Sequence, residues 1–273
     1  MESTVVKRLL EGIDHREAVA LVMVTHKVGS GPRDKGSMML VGRGGKLLAG
    51  TIGGGGVEEK ARQDAVVCLE TQASSAFSYE LTLSDSENAL GMACGGKVDV
   101  FIKVFPAGKA LIIFGAGHIG MALSKMAKLL EYHVTIVDAR SEYATKERFE
   151  SADVILSGEV QTLLEEIEIK SNTSVVIVTH GHTHDLEILR AILRQKVDYV
   201  GMIGSKNKVN YCFETLRAEG VSEEKISAVH APIGLDIGGE TPSEIALSIM
   251  AEIQAVQFGK PGPFMNQMKR EGV

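Results

Sequence analysis

From about residue 111 onward, short apolar runs alternate with segments of helical spacing. Leu111–Phe114, Val134–Val137, Asp153–Leu156, Ser174–Val178 and Tyr199–Ile203 read as strands. The unbroken run Val175-Val176-Ile177-Val178 suits a strand covered on both faces. Met121–Leu130, Leu186–Leu193 and Asn207–Ala218 carry helical spacing between them. This β-α-β alternation predicts a parallel, doubly wound sheet. A last helix is marked by Thr241 as N-cap, Pro242 at its first position and Glu244 closing a Thr-x-x-Glu capping box. Ile245, Ile249 and Ile253 then share one face.

The first hundred residues follow another rhythm. Ala18–Thr25 is a strand run, and Ser37–Val41 and Lys46–Ala49 flank Gly42-Arg43-Gly44-Gly45 as a hairpin. Val57–Gln72 is helical, and Phe77–Leu83 and Val98–Phe105 alternate as strands. Pro106-Ala107-Gly108 is a plausible linker. The expected fold class is α/β: a smaller N-terminal α+β domain over 1–106, then a C-terminal Rossmann-like parallel sheet domain over 107–273.

Composition narrows the function classes. The net charge of −6 argues against non-specific nucleic-acid binding, which needs surplus Lys and Arg to displace counterions. No apolar stretch approaches the roughly 20 residues of a membrane span. Cys68, Cys94 and Cys212 are widely spaced and form no CxxC pair, which fits a reducing compartment. A cytoplasmic protein is expected.

The clearest chemical motif is Gly115-Ala116-Gly117-His118-Ile119-Gly120, after a strand and before a helix. Gly115 makes the tight turn, Gly117 admits a pyrophosphate to the backbone, and Gly120 allows close packing of helix on sheet. The helix start offers free N–H groups to an anion. Asp138 ends the next strand, where an acid binds a ribose hydroxyl; Arg140 nearby offers an extra phosphate a partner instead. NAD(P) or another nucleotide is the implied ligand, and a glycine turn without a ligand is the alternative. Two further loops should share this sheet edge. Thr179-His180-Gly181-His182-Thr183-His184-Asp185 is either a metal loop, through His180, His182 and His184, or a polar loop whose Asp185 caps the next helix. Gly204, Ser205 and Lys206, with Lys208 just beyond, combine glycine, hydroxyl and ammonium before a helix. That is anion-binding chemistry or a solvated helix start.

In the first half, Gly53-Gly54-Gly55-Gly56 precedes a helix containing Glu58. Such a run serves where backbone must touch a ligand closely, or makes a wide turn. Gly29-Ser30-Gly31-Pro32-Arg33 adds hydroxyl and guanidinium, and Cys94-Gly95-Gly96 sets a thiol beside permissive backbone. A thiol there ligates a soft metal or carries sulfur, or is inert.

Taken together, these motifs resemble the xanthine dehydrogenase accessory protein (XdhC/CoxI) family. The likeness extends through Gly50-Thr51-Ile52, Gly201-Met202-Ile203 and the closing stretch Ala231–Ala246, and covers nearly the whole chain. It implies a chaperone that binds molybdenum cofactor (molybdopterin) and supports its sulfuration by a cysteine desulfurase. The chaperone then inserts the cofactor into xanthine dehydrogenase or a related molybdenum hydroxylase. It implies Cys94 as a candidate molybdenum ligand. The cofactor-binding set it implies is Gly53, Gly54, Gly55, Gly56, Glu58, Cys94, Gly95 and Gly96, with Gly115, Gly117, His118, Gly120, Asp138, Gly204, Ser205 and Lys206 in the second half. Where the family often has a Cys before this Glu-bearing helix, Gly56 stands here, so schemes needing two thiols do not fit. A homo-oligomer is expected as a prior for such folds. The competing reading is an NAD(P)-dependent oxidoreductase using Asp138 for ribose and His182 as general acid or base.

Overall fold

The computed structural model describes residues 2–29, 33–81, 96–167, 169, 170, 172–180, 183–260 and 262. The chain divides into two compact units, Met1–Gly108 and Lys109–Val273.

The first unit is built on α1 (Glu2–Asp14), β1 (Val19–Val28), β2 (Met38–Val41), β3 (Leu47–Gly50), α2 (Gly55–Thr71), β4 (Ser75–Leu81) and β5 (Gly96–Phe105). The five strands form an antiparallel sheet in the order β3-β2-β1-β5-β4. Alternation along the strands sends Ala20, Val22 and Val24 of β1 and Val98, Val100 and Ile102 of β5 to one face, where Val57, Ala61, Ala65 and Cys68 of α2 cover them. On the other face Val5 and Leu9 of α1 pack on Val19 and Leu40. Helix α1 is absent from the sequence-based expectation, although Val5 and Leu9, four residues apart, carry its mark. Within the α2 core Asp64 is buried, accepts from the Tyr79 hydroxyl at 2.8 Å and pairs with Lys60. Burial first, then this carboxylate, pushes the Tyr79 phenol well up.

The second unit contains β6 (Ala110–Phe114), α3 (His118–Leu129), β7 (His133–Asp138), β8 (Val154–Ser157), α4 (Val160–Glu166) and β9 (Thr173–Ile177). It continues through α5 (Thr183–Ile192), β10 (Tyr199–Met202), α6 (Lys206–Ala218), α7 (Glu223–Ser227), β11 (Val229–His230) and α8 (Pro242–Gln257). All strand pairs are parallel, in the order β8-β7-β6-β9-β10-β11. Counted from β6 this is 3-2-1-4-5-6, the order of dinucleotide-binding sheets. Leu111 and Ile113 of β6 face α3 and α8, while Ile112 and Phe114 face the layer of α4, α5, α6 and α7. Burial on both faces explains the uninterrupted apolar runs. The α8 capping box forms as the sequence predicts: Thr241 Oγ1 accepts from Glu244 N, and the Glu244 carboxylate accepts from Thr241 N. α4, α7 and β11 have too few residues for a periodic pattern to mark them.

Candidate functional site

The Gly115–Gly120 loop sits at the crevice between β6 and β9, where the strand order reverses. Gly115 has φ +124°, and a Cβ there would lie 2.4 Å from the Val178 carbonyl oxygen. A Cβ on Gly120 would lie 1.9 Å from the Gly115 carbonyl oxygen. Both are glycine because backbone occupies the space. Gly117 is the N-cap of α3 without a side-chain cap bond, and His118 is exposed in its first turn. This helix start therefore keeps its N–H groups and positive dipole end for an anion.

Asp138 reaches the loop from the end of β7. Its Oδ2 accepts from Ala116 N at 2.7 Å and Arg140 Nη2 at 2.8 Å; its Oδ1 accepts from Arg140 N and Nε, both at 2.9 Å. Burial alone would raise this carboxyl, but the Arg140 fork and the two backbone N–H groups outweigh it and hold the group below its ordinary range. Arg140 and Arg148 both rest on the Tyr143 ring, 4.0 and 4.8 Å from its centre, and Arg148 donates to the Ala116 carbonyl at 3.2 Å. The sequence places Asp138 beside the loop but shows neither this fork nor the roles of Tyr143 and Arg148. A cavity of about 100 Å³ opens here, with Phe114, Leu163 and Ile188 on its apolar side and Asp138, Arg140 and His180 among its polar lining.

The histidine loop is only partly described, since His182 lies outside the described residues. His180 and His184 line the cavity, and His184 Nδ1 is 3.7 Å from a Glu187 carboxylate oxygen. Among the described residues no group of three potential ligands converges on a metal position. Asp185 is not the helix cap expected of it. It lies inside the first turn of α5, fully buried, accepts from the Thr179 hydroxyl and forms an ion pair with Lys208. Lys208 also donates to the Ile203 carbonyl at 3.0 Å. Of the lysines after Gly204, Lys208 is thus spent inside the fold, Ser205 caps α6 by accepting from Lys208 N, and Lys206 is exposed. A lysine two places into a helix, rather than at its start, was the mark that separated these roles.

In the first unit the glycine motifs leave the sheet at two levels. β1 ends at Val28 beside the start of β5 at Gly96, opposite Leu81, whereas β3 ends at Gly50, level through Met39 and Val22 with Ile102 of β5. Cys94 and Gly95 lie outside the described residues, as do Ser30, Gly31 and Pro32. Gly53, Gly54 and Gly55 have φ of +124°, +73° and +63°. This succession turns backbone N–H groups inward as an anion nest. A carboxylate of the chain fills it: Glu58 Oε2 accepts from the Thr51 hydroxyl, from Ile52 N at 3.2 Å and from Gly54 N at 3.1 Å, and Thr51 Oγ1 accepts from Gly53 N at 3.0 Å. Gly56 is already in the first turn of α2.

The closing stretch is anchored by Glu252 of α8. Its carboxylate accepts from the Tyr199 hydroxyl at 2.5 Å and Gly234 N at 2.9 Å, and lies 3.2 Å from His230 Nδ1. The Tyr199 and His230 rings stack at 4.7 Å. Burial first, then Glu252, pushes the Tyr199 phenol well up. Beyond this anchor, residues 236–244 are exposed.

Strand order, phosphate loop and β7 carboxylate define a Rossmann-domain protein carrying a separate glycine-loop unit. Residues 111–253 match the model of the XdhC Rossmann domain, and residues 13–80 that of the XdhC and CoxI family. The chain belongs to the XdhC and CoxI family. It is 33% identical over 247 residues to the uncharacterized protein YqeB of Escherichia coli (strain K12), covering 90% of this chain and 45% of that protein. It is 30% identical over 155 residues to a probable xanthine dehydrogenase subunit of Bacillus subtilis (strain 168), covering 57% of this chain and 45% of that one. Over 91 residues it is 28% identical to the molybdenum cofactor insertion chaperone PaoD of Escherichia coli (strain K12), 33% of this chain and 29% of that one. The chain thus spans less than half the length of these relatives. A crystal structure described as a xanthine dehydrogenase from Bacillus halodurans shares the fold, with a TM-score of 0.51 and 22% identity over 94% of this chain and 97% of that one. Among the described residues no helix is long and apolar enough to cross a membrane.

Proposed function

We propose that this protein is a cytoplasmic accessory protein that binds molybdenum cofactor, supports its sulfuration by a cysteine desulfurase and inserts it into xanthine dehydrogenase or a related molybdenum hydroxylase. The observation that carries the reading is the Gly53–Gly55 nest, which the Glu58 carboxylate already fills as an internal anion. The nest can take the phosphate of molybdopterin only in exchange for the Glu58 carboxylate, so it marks an anion site of the right chemistry. When bound, the cofactor supplies a soft molybdenum–sulfur centre, for which Cys94 is the proposed thiolate ligand. Gly53–Gly56, Gly95 and Gly96 give it close backbone, and Glu58 shapes the nest. The kinship with a molybdenum cofactor insertion chaperone supports this role. A homo-oligomer that docks its client is part of the proposal.

The Rossmann half is proposed to hold a nucleotide phosphate at Gly117, His118 and Gly120, with Gly204, Ser205 and Lys206 at a neighbouring strand end. The uncapped α3 start and the adjoining cavity favour this reading. An oxidoreductase that binds ribose through Asp138 has less support, because every acceptor position of Asp138 is engaged.

The test is mass spectrometry of ligand released from protein expressed in a molybdate-supplied host. A released molybdopterin species, lost in Cys94→Ala, is expected. Undiminished retention in Cys94→Ala would remove that thiol from the site.

A further inference from the structure

A Rossmann carboxylate at the end of the second strand serves a nucleotide by accepting from the ribose diol. Two carboxylate oxygens offer about four acceptor positions. On Asp138 four donors fill them: Ala116 N on Oδ2, Arg140 Nη2 on Oδ2, and Arg140 N and Nε on Oδ1. A diol entering the cavity therefore meets no open acceptor on this residue. The guanidinium holding the carboxylate is in the opposite position. Arg140 carries five N–H donors, and its fork to Asp138 uses Nε and one N–H of Nη2. The rest of its head is directed elsewhere, its side chain is 31% exposed, and it lines the cavity. Its guanidinium carbon lies 4.0 Å from the centre of the Tyr143 ring, a contact that restrains its head. Arg148 lies against the same ring and donates to a neutral carbonyl, so one ring carries two cations.

We propose that the Rossmann half selects a nucleotide whose ribose carries a 2′-phosphate, read by Arg140, over one with a free ribose diol. The inference rests on the nucleotide reading of the phosphate loop and adds the ligand class. Asp138 acts here as a positioning residue. It ties the phosphate loop to β7 through Ala116 N and aims the Arg140 fork, and the fork's spare donors meet the phosphate. Charge-assisted, planar donors suit a phosphate far better than a hydroxyl pair that needs acceptors.

The arrangement makes an unusual demand on one substitution. Removing the Arg140 side chain deletes the phosphate partner and also frees two of the four acceptor positions on Asp138, since Arg140 N can remain. Arg140→Ala should therefore reverse the preference as well as weaken binding of the phosphorylated ligand. Calorimetric titration of the full chain with NADPH and with NADH reads this directly. Wild type should bind NADPH roughly tenfold or more tightly than NADH, the scale of one charged hydrogen-bonded pair. In Arg140→Ala the order should invert, with NADH binding as well as or better than in wild type. Arg140→Lys keeps the charge without the fork, and should show a reduced preference of unchanged sign. It also serves if the alanine variant folds poorly. Equal binding of both ligands by wild type, or tighter NADH binding, would overturn the inference while leaving the phosphate-loop reading intact. Binding of neither would overturn both.

Discussion

The Glu58 carboxylate holds the proposed cradle in shape, so its removal tests the cradle directly. Glu58→Ala removes the acceptor of the Thr51 hydroxyl, Ile52 N and Gly54 N. Ile52 is fully buried, so its N–H loses a partner without gaining water, whereas Gly54 N can be rehydrated. Hydrogen bonds to charged groups contribute about 1.5–3 kcal/mol each, and an unsatisfied buried donor costs about 1–3 kcal/mol. The three bonds share one oxygen and part of the site is wet, so their sum is an overestimate; about 2–3 kcal/mol is the expected loss. For a domain near 100 residues that lowers the melting temperature of the first unit by roughly 10–20 °C. Glu58→Gln keeps one acceptor oxygen and should lose about 1 kcal/mol. Urea denaturation and thermal melts followed by circular dichroism measure both. The nest makes a second demand: with its internal anion gone, added phosphate should restore part of the stability of Glu58→Ala and do little for wild type. A loss below about 0.5 kcal/mol, or no difference in the response to phosphate, would refute the reasoning.

Three further outcomes follow from the second unit. Lys208→Met leaves Asp185 buried without its ion pair and should cost about 3–5 kcal/mol, largely recovered by adding Asp185→Leu; denaturant midpoints of the single and double variants decide it. Asp138 has a folded-state carboxyl below its ordinary value, so its stabilisation is fully present above the unfolded value near about 4 and is lost as pH falls through the lower folded value. Wild type should therefore melt above Asp138→Asn at neutral pH, with the gap closing below about pH 4. Gly120→Ala places a Cβ against the Gly115 carbonyl and forces backbone to move, so it should cost about 3 kcal/mol or more, or abolish soluble expression, while Gly117→Ala, with open space at that position, should fold.

Much of the scaffold was legible because its marks are local. The strand run before Gly115, the glycine spacing and Asp138 at the end of the next strand follow from chain periodicity. So does the Thr241–Glu244 box, which the structure forms bond for bond. What escaped reading depends on partners distant in sequence. Asp185 looked like a cap because it is an acid near a helix start. It is an ion-pair partner because Lys208, 23 residues on, reaches it from α6. The closing stretch stood out as a motif, but its anchor is Glu252, an acid on α8 that Tyr199, His230 and Gly234, all distant in sequence, explain. The Glu58 nest was half legible: four glycines suggest backbone close to a ligand or a wide turn, but not that the Glu58 carboxylate lies among their N–H groups.

The central claim is that this chain receives molybdenum cofactor at the glycine loops of its first unit. Its most direct test is the molybdopterin content of the purified full chain from a molybdate-supplied host, for wild type beside Cys94→Ala. Cofactor in wild type, and its loss on removing the thiol, is the expected result. Wild type purified without any molybdopterin species, from a host shown to make it, would contradict the claim.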